Sequence, residues 1–373
     1  TLLPVTTANA DPSLRPPIVI LSAARMKRRA KHTTSILIAI IIVVTIEIPG
    51  QAVALLLPSS SSSSHQVVPA VGGRGSGSAA KAAAVDDPPP QPSSIGTLRI
   101  HGPDSNGIVA AFAQTLYGHG CGIVESEQHT DHEQKKFFQR ISFDFGQIFT
   151  DRITLENGIN EVCKRFGMES MLEWGEKRKK VALMVSKYDH CLWEVLLRHQ
   201  ASELQCDIPL IVSNHPDLQP IADSFKIPFH VFKVTKENKD EVETKQLALF
   251  KEHNIDVVVL ARYMQIISDK FCEAYPVINI HHSFLPAFIG GRPYHRAHER
   301  GVKLIGATAH YATADLDEGP IIEQDITRIS HRDGVPDLIQ KGRLLEKNVL
   351  VNALKAHVED RIIVYNNRCV VFD

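Results

Sequence analysis

The chain reads VINIHHSFLP at residues 277–286, where a short apolar run passes directly into histidines and a proline. Other short apolar runs occupy residues 181–185, 209–212 and 256–260, and the segments between them have the periodicity of amphipathic helices. Buried strands that alternate with helices are typical of a parallel sheet covered on both faces. We therefore predict an α/β fold, with a Rossmann-like, mostly parallel sheet over residues 179–373 and ligands beyond the carboxyl ends of its strands.

Two motifs in this half contain polar residues suited to acyl chemistry. They read NIHHSFLP at residues 279–286 and DLDEGPII at residues 315–322. Both resemble motifs of the folate-dependent formyltransferase superfamily, whose catalytic residues are an asparagine, a histidine and an aspartate. The resemblance implies these roles for Asn279, His281 and Asp317.

The chemistry of formyl transfer requires residues of these types. Attack on a formyl carbon produces a tetrahedral centre with a negative oxygen, which preorganised donors stabilise. The side chains of Asn279 and His281 are such donors. A carboxylate is needed to take a proton from the attacking group, and we assign this step to Asp317. Taken singly, each residue also has a purely structural interpretation, in a strand end, a core or a turn.

A third segment, LARYMQII at residues 260–267, matches the loop on the pterin side of the folate in this superfamily. Backbone groups of that loop bind the ring, and apolar side chains line its slot. The segment GGRPY at residues 290–294 is a candidate for closing over the site. The residues that we assign to folate binding are Arg262, Tyr263, Met264, Ile266 and Gly291. The alternative role for Arg262 is that of an ion-pair partner.

Residues 95–176 follow a different pattern. The order strand, helix, strand, strand, helix, strand predicts a ferredoxin-like βαββαβ domain. The loop GPDSNGIV at residues 102–109 resembles the first loop of ACT domains, small modules that self-associate and often bind amino acids. The residues implied for a regulatory ligand are Asp104, Asn106, Gly107 and Ile108, with Asp104 capping the helix that follows. The resemblance implies a homo-oligomer with an amino-acid effector, and an association module without a ligand is the alternative.

The first 94 residues lack the composition of a packed core. They contain a serine run at residues 59–64 and prolines at residues 88–90. Asp11 and Glu47 are the acids up to residue 84, where basic residues are more numerous. This composition resembles that of an organelle transit peptide, and we predict a disordered leader that targets the mitochondrion. The apolar run at residues 36–46 leaves a secretory signal or a cytosolic chain as alternatives, and it is shorter than the roughly 20 residues of a membrane span.

The composition narrows the classes of function. The 41 Lys and Arg residues balance the 42 Asp and Glu residues, so no charge field favours nucleic acid or an anionic membrane as a partner. The six cysteines form no C-x-x-C pair of a zinc site. The histidines between residues 281 and 310 leave a metallohydrolase as an alternative. They lack the H-E-x-x-H spacing, and we assign no metal site.

The ACT-like first half and the formyltransferase-like second half together resemble the formyltetrahydrofolate deformylase family. The resemblance implies hydrolysis of 10-formyltetrahydrofolate to formate and tetrahydrofolate without a cofactor, supporting one-carbon balance in purine and photorespiratory metabolism. The loop SKYDHC at residues 186–191 has no glycine to cradle the phosphate of a larger acceptor, which favours water. The alternatives are a formyltransferase to an amine and a folate or amino-acid sensor without catalysis.

Overall fold

The computed structural model describes residues 43–48, 51–56 and 94–373. Most of the predicted leader, residues 1–94, therefore lies outside the described residues. The predicted targeting role of the leader concerns those residues and stays a prediction. Within it, β1 (Val43–Ile48) and β2 (Gln51–Leu56) form an antiparallel pair. Among the helices that the structure describes, none is long and apolar enough to cross a membrane. The described residues from 94 onwards belong to one compact unit.

The first part of this unit is a four-stranded antiparallel sheet with two helices. Its elements are β3 (Ile95–Pro103), α1 (Ile108–Gly118), β4 (Gly122–Asp131), β5 (Lys136–Asp144), α2 (Arg152–Phe166) and β6 (Glu169–Trp174). The strands pair in the order β4-β5-β3-β6. This is the ferredoxin-like βαββαβ arrangement that the sequence predicts.

Helix α1 packs on this sheet through residues spaced by four. Ile108, Phe112 and Leu116 are buried in the core of the first part. The helix begins after Gly107, whose φ of 91° is a left-handed conformation that suits glycine. The prediction that Asp104 caps this helix is wrong, because the helix starts further along the chain and has no side-chain cap.

The second part is a seven-stranded, mostly parallel sheet, as predicted. Its elements are β7 (Lys179–Val185), α3 (His190–Gln200), β8 (Cys206–Ser213), α4 (Gln219–Ser224), β9 (Phe229–Val231), α5 (Lys239–Glu252), β10 (Val257–Leu260), α6 (Asp269–Ala274), β11 (Val277–His281), α7 (Pro293–Arg300), β12 (Leu304–Tyr311), β13 (Ile321–Arg328) and α8 (Val335–Val358). The sheet order is β13-β12-β11-β10-β7-β8-β9. Strands β7 to β11 are parallel to one another. At one edge, β12 pairs antiparallel with β11, and β13 pairs antiparallel with β12.

The winding of this sheet determines where a ligand binds. Strands β8 and β9 lie on one side of β7, and β10, the next strand along the chain, lies on the other side of β7. The strand order therefore reverses between β7 and β10. In open α/β sheets, ligands bind at such a reversal, outside the carboxyl ends of the strands. The loops that follow β7 and β10 face each other there.

The two parts meet at the end of α8 and at a C-terminal hairpin, β14 (Ile362–Tyr365) with β15 (Arg368–Val371). Polar residues alternate with apolar ones from Arg140 to Asp144, which gives β5 a polar face, yet both faces of this strand are buried. Arg140 on that face donates to the carbonyls of Asp360 and Glu359, at 3.2 and 3.3 Å. Arg99 on β3 pairs with the carboxylate of Asp360 at 2.9 Å. The polar face is therefore an interface with the second part, because α8 and the hairpin cover it.

Candidate active site

A cleft of about 230 Å³ opens at the carboxyl ends of β10 and β11. The loop after β10, the end of β11, the segment before α7 and the loop between β12 and β13 form its walls. The residues predicted for catalysis and folate binding all line it: Asn279, His281, Asp317, Arg262, Tyr263, Met264, Ile266 and Gly291. The fold thus brings together segments that are far apart in the sequence, at the place where open α/β sheets bind ligands.

Two of the predicted catalytic residues, His281 and Asp317, are in direct contact. His281 ends β11 and is 4% exposed, and its Nδ1 lies 3.2 Å from Oδ2 of Asp317. Asp317 has a φ of 59°, a left-handed conformation that is rare for residues other than glycine. Strained backbone of this kind is concentrated at functional sites. The loop between β12 and β13 therefore holds this carboxylate in a specified position.

The carboxylate of Asp317 is ionised at neutral pH. Burial acts to raise its pKa, but the hydrogen bond and charge of His281 outweigh burial and hold the pKa below its ordinary value of 3.8. The backbone N–H of Gly290, 3.3 Å from Oδ2, contributes in the same direction. An ionised carboxylate is the form that accepts a proton. The geometry therefore suits Asp317 as a general base.

His310, to which the sequence analysis assigned no catalytic role, completes this cluster. It lies on β12 directly opposite Asn279 on β11, and its Nε2 is 3.2 Å from Nδ2 of Asn279. Its Nδ1 donates to the backbone carbonyl of Tyr311 at 2.9 Å, which leaves Nε2 of the neutral ring as an acceptor. Burial lowers the pKa of His310, in keeping with a neutral ring. His310 therefore orients the Asn279 amide and leaves one of its N–H groups for a ligand.

Arg262 follows β10 and belongs to a buried charged cluster at the wall of the cleft. Its Nε lies 3.3 Å from Oε2 of Glu346 on α8, and the residue is 8% exposed. The contact is an ion pair without a hydrogen bond, because the N–H is not directed at the carboxylate. Arg262 thus lines the cleft, as predicted for a folate-binding residue, and it also forms an ion pair, which was the alternative role for this residue.

Glu346 is the centre of this cluster. It is 1% exposed, and it accepts hydrogen bonds from the hydroxyl of Tyr294 at 2.6 Å and from Nε2 of His190 at 2.9 Å. Burial acts to raise its pKa, but the hydrogen bond from His190 and the charge of Arg262 hold the pKa of Glu346 well below its ordinary value. No role for Glu346 was predicted from the sequence. A charged residue within the apolar stripe of α8 was the available signal.

Within the described part of the chain, one group has the donor types and spacing of a metal site. His190, Cys191 and Glu346 have ligand atoms within 4.8 Å of one another. Arg262 already balances the charge of Glu346, and burial raises the pKa of the Cys191 thiol well above its ordinary value. A protonated thiol is a poor metal ligand. This cluster is therefore better suited to structural ion pairing than to metal binding.

A separate, open cavity of about 460 Å³ lies in the ferredoxin-like part, at the start of α1. The predicted regulatory residues that line it are Asn106, Gly107 and Ile108. Asp104 is not among its lining residues, and the backbone N–H of Asp104 donates to the carbonyl of Lys135 at 2.9 Å. Three of the four residues predicted for a regulatory ligand therefore line one cavity, and Asp104 does not.

The chain is similar in sequence to known proteins. A family model described as formyl transferase matches residues 179–354. A formyltetrahydrofolate deformylase of Synechocystis sp. is 52% identical over 277 residues, which cover 74% of this chain and 98% of the relative. A formyltetrahydrofolate deformylase of Bacillus subtilis is 48% identical over 281 residues, covering 74% of this chain and 94% of the relative.

The chain is also similar to proteins of known structure. The crystal structure of a formyltetrahydrofolate deformylase from Pseudomonas syringae pv. tomato has a TM-score of 0.72 and 42% identity, and the match covers 75% of this chain and 94% of that one. A glycinamide ribonucleotide transformylase from Symbiobacterium toebii, at 24% identity and a TM-score of 0.50, shares the fold over 52% of this chain. By sequence identity, coverage and structure, the chain belongs to the formyltetrahydrofolate deformylase family.

Proposed function

We propose that the chain hydrolyses 10-formyltetrahydrofolate to formate and tetrahydrofolate. Relatives named for this activity match 74% of the chain at about half identity. The observation that carries the proposal is the contact between Asp317 and His281, in a cleft whose wall is the predicted folate loop. A general base and a set of fixed donors are the groups that hydrolysis of a formamide needs. The folate is the substrate, and the proposed steps use no cofactor.

The proposed reaction begins with a water molecule between Asp317 and the formyl carbon. Asp317 accepts a proton from the water as its oxygen forms a bond to the carbon. The carbonyl oxygen becomes negative and accepts hydrogen bonds from Asn279 and His281, which stabilise it. The bond from the carbon to N10 then breaks, and the proton held by Asp317 goes to N10. Formic acid loses its own proton, so the products are formate, tetrahydrofolate and one proton.

Formate release by the full-length chain tests this proposal. Asp317→Asn removes the base but keeps the shape, so we expect kcat to fall about 10²- to 10⁴-fold. Asp325→Asn on β13 makes the same change at an exposed position and keeps the native rate. An unchanged rate in Asp317→Asn would remove this residue as the base. If the native chain bound folate and released no formate, the sensor alternative would replace the hydrolase.

We also infer that the cavity at the start of α1 takes a small amino acid and that the ferredoxin-like part mediates self-association. The support is the loop of Asn106, Gly107 and Ile108, which lines an open cavity and carries a left-handed glycine. Calorimetry with a panel of α-amino acids and light scattering of the same samples test both points. A saturable heat of binding that disappears in Asn106→Ala supports an amino-acid effector. Absence of heat with every amino acid favours an association module without a ligand. In light scattering, a monomeric mass contradicts self-association.

We propose, finally, that the leader directs the chain to the mitochondrion. The support is its acid-poor composition up to residue 84. Fluorescence microscopy of the full-length chain with a C-terminal tag distinguishes the alternatives. Signal in the secretory pathway or throughout the cytosol contradicts this proposal.

A further inference from the structure

A second histidine, His282, follows His281 at the end of β11 and takes no part in the steps proposed above. It lines the catalytic cleft. Among the described residues, neither ring nitrogen of His282 has a hydrogen-bond partner, and neither nitrogen is fully buried. Polar groups of a protein interior are normally paired with protein or with ordered water. The free nitrogens of this ring are therefore available to a molecule in the cleft.

The position of the His282 ring is determined by packing on two sides. Its centre lies 5.2 Å from the centre of the His281 ring and 5.7 Å from that of the Tyr294 ring, distances at which the rings are in contact. The hydroxyl of Tyr294 donates to Glu346 at 2.6 Å. Tyr294 comes this close to α8 because Gly342 has no side chain, and a Cβ there would overlap the phenol oxygen. The His282 ring is therefore held beside the catalytic histidine.

The His282 ring is neutral at the pH where the enzyme is assayed. Burial and the positive charge of Arg262 lower the pKa of His282 to about 3. The negative charges of Glu346 and Asp317 act in the opposite direction and are outweighed. A neutral imidazole has one nitrogen that accepts a hydrogen bond and one N–H that donates. His282 therefore brings a hydrogen-bond acceptor to the cleft.

The chemistry of hydrolysis calls for such an acceptor. The attacking water has two hydrogens, and Asp317 takes one of them. Asn279 and His281 act as donors in the proposed reaction, and the acceptor nitrogen of His310 already faces the Asn279 amide at 3.2 Å. A water that donates to two fixed acceptors has a lone pair directed away from both, towards the carbon that it attacks. Orientation of this kind lowers the barrier of the step.

We propose that His282 orients the attacking water by accepting a hydrogen bond from the hydrogen that Asp317 does not take. This inference rests on the proposed function, because it concerns the same water and the same formyl carbon. His282 accepts a hydrogen bond and not a proton. The bonds that form and break, and the products, are therefore those of the proposed reaction, and the second hydrogen stays on the oxygen that becomes part of formic acid.

The experiment measures kcat and KM for formate release by the full-length chain with three substitutions of one residue. His282→Phe keeps an aromatic ring for the packing and has no acceptor. His282→Asn and His282→Gln lack the ring and supply an amide oxygen near the places of Nδ1 and Nε2. Rates are divided by the concentration of sites that bind tetrahydrofolate in the same preparation, so unfolded protein does not enter kcat. His331→Phe, at an exposed position after β13, is the matched control.

We expect kcat to fall about 10- to 100-fold in His282→Phe, the scale of a misplaced reacting group. KM should stay within about twofold of the native value, because the lost contact is made to the water and not to the folate. At least one of the two amide variants should be faster than His282→Phe, and the control should keep the native kcat.

Four results overturn the inference while the hydrolase stands. They are a native kcat in His282→Phe, a rise in KM without a fall in kcat, two amide variants that are as slow as His282→Phe, and loss of tetrahydrofolate binding in His282→Phe. The second and fourth results would make His282 a folate contact or a structural residue. Absence of formate from the native chain instead removes the proposed function.

Discussion

Replacing Glu346 by glutamine tests whether the buried cluster stabilises the fold. The change leaves an amide to accept the Tyr294 hydrogen bond, but it removes the negative charge 3.3 Å from a guanidinium that is 8% exposed. Removing one partner of a buried ion pair costs about 3–5 kcal/mol, because the other charge stays buried and uncompensated. A domain of this kind has a free energy of unfolding of about 5–15 kcal/mol, so the loss is a large fraction of the total.

Urea denaturation measures this loss. We expect the midpoint to fall in Glu346→Gln while the slope with urea concentration stays native, since the same surface is exposed on unfolding. In the double variant Arg262→Met with Glu346→Gln, both charges are gone, and the midpoint should lie above that of the single variant. Glu161→Gln, whose partner Lys164 is largely exposed, is the control that keeps the native midpoint. Two results would contradict a stabilising role of the buried charge pair: a loss of unfolding free energy below about 1 kcal/mol in Glu346→Gln, or a double variant that is less stable than Glu346→Gln.

Two further predictions follow from the same geometry. Because the pKa of Asp317 lies below its ordinary 3.8, the fall in kcat/KM that reports protonation of this base should be centred below pH 3.8. The stability that this carboxylate contributes is present above its unfolded pKa and is lost as pH falls through the folded pKa. A pH-rate profile that declines near pH 6 would contradict Asp317 as the titrating base. Gly342→Ala places a Cβ against the Tyr294 phenol, so we expect the free energy of unfolding to fall by about 1–3 kcal/mol. The measurement is the midpoint of urea denaturation. An unchanged midpoint would show that α8 or Tyr294 moves to make room for the methyl group.

The sequence predicted the central sheet well because its strands are buried on both faces. β10 and its neighbours appear as short apolar runs, and such runs are visible without any knowledge of neighbours in space. The residues around the cleft were also predictable, since Asn279, His281 and Asp317 lie in local motifs and the winding of the sheet puts strand ends together. Their catalytic roles stay a prediction that the activity assay tests.

The features that the sequence did not predict depend on pairing between distant segments. The role of His310 arises from the antiparallel register of β12 with β11, which places it opposite Asn279. No local pattern specifies that register. The burial of the polar face of β5 could not be predicted, because alternation alone cannot tell a solvated face from one that is covered by another part of the chain. The buried guanidinium of Arg140 is satisfied by the carboxylate of Glu125 and by the carbonyls of Glu359 and Asp360, just past the end of α8.

Helix α8 connects the covered face of β5 with the wall of the catalytic cleft. Near its middle, Glu346 holds Arg262 at the wall of the catalytic cleft, and the carbonyls just past its end accept hydrogen bonds from Arg140 of the ferredoxin-like sheet. One helix therefore takes part in two separate interactions: a buried ion pair at the wall of the cleft and, just past its C-terminal end, the interface with the first part of the chain.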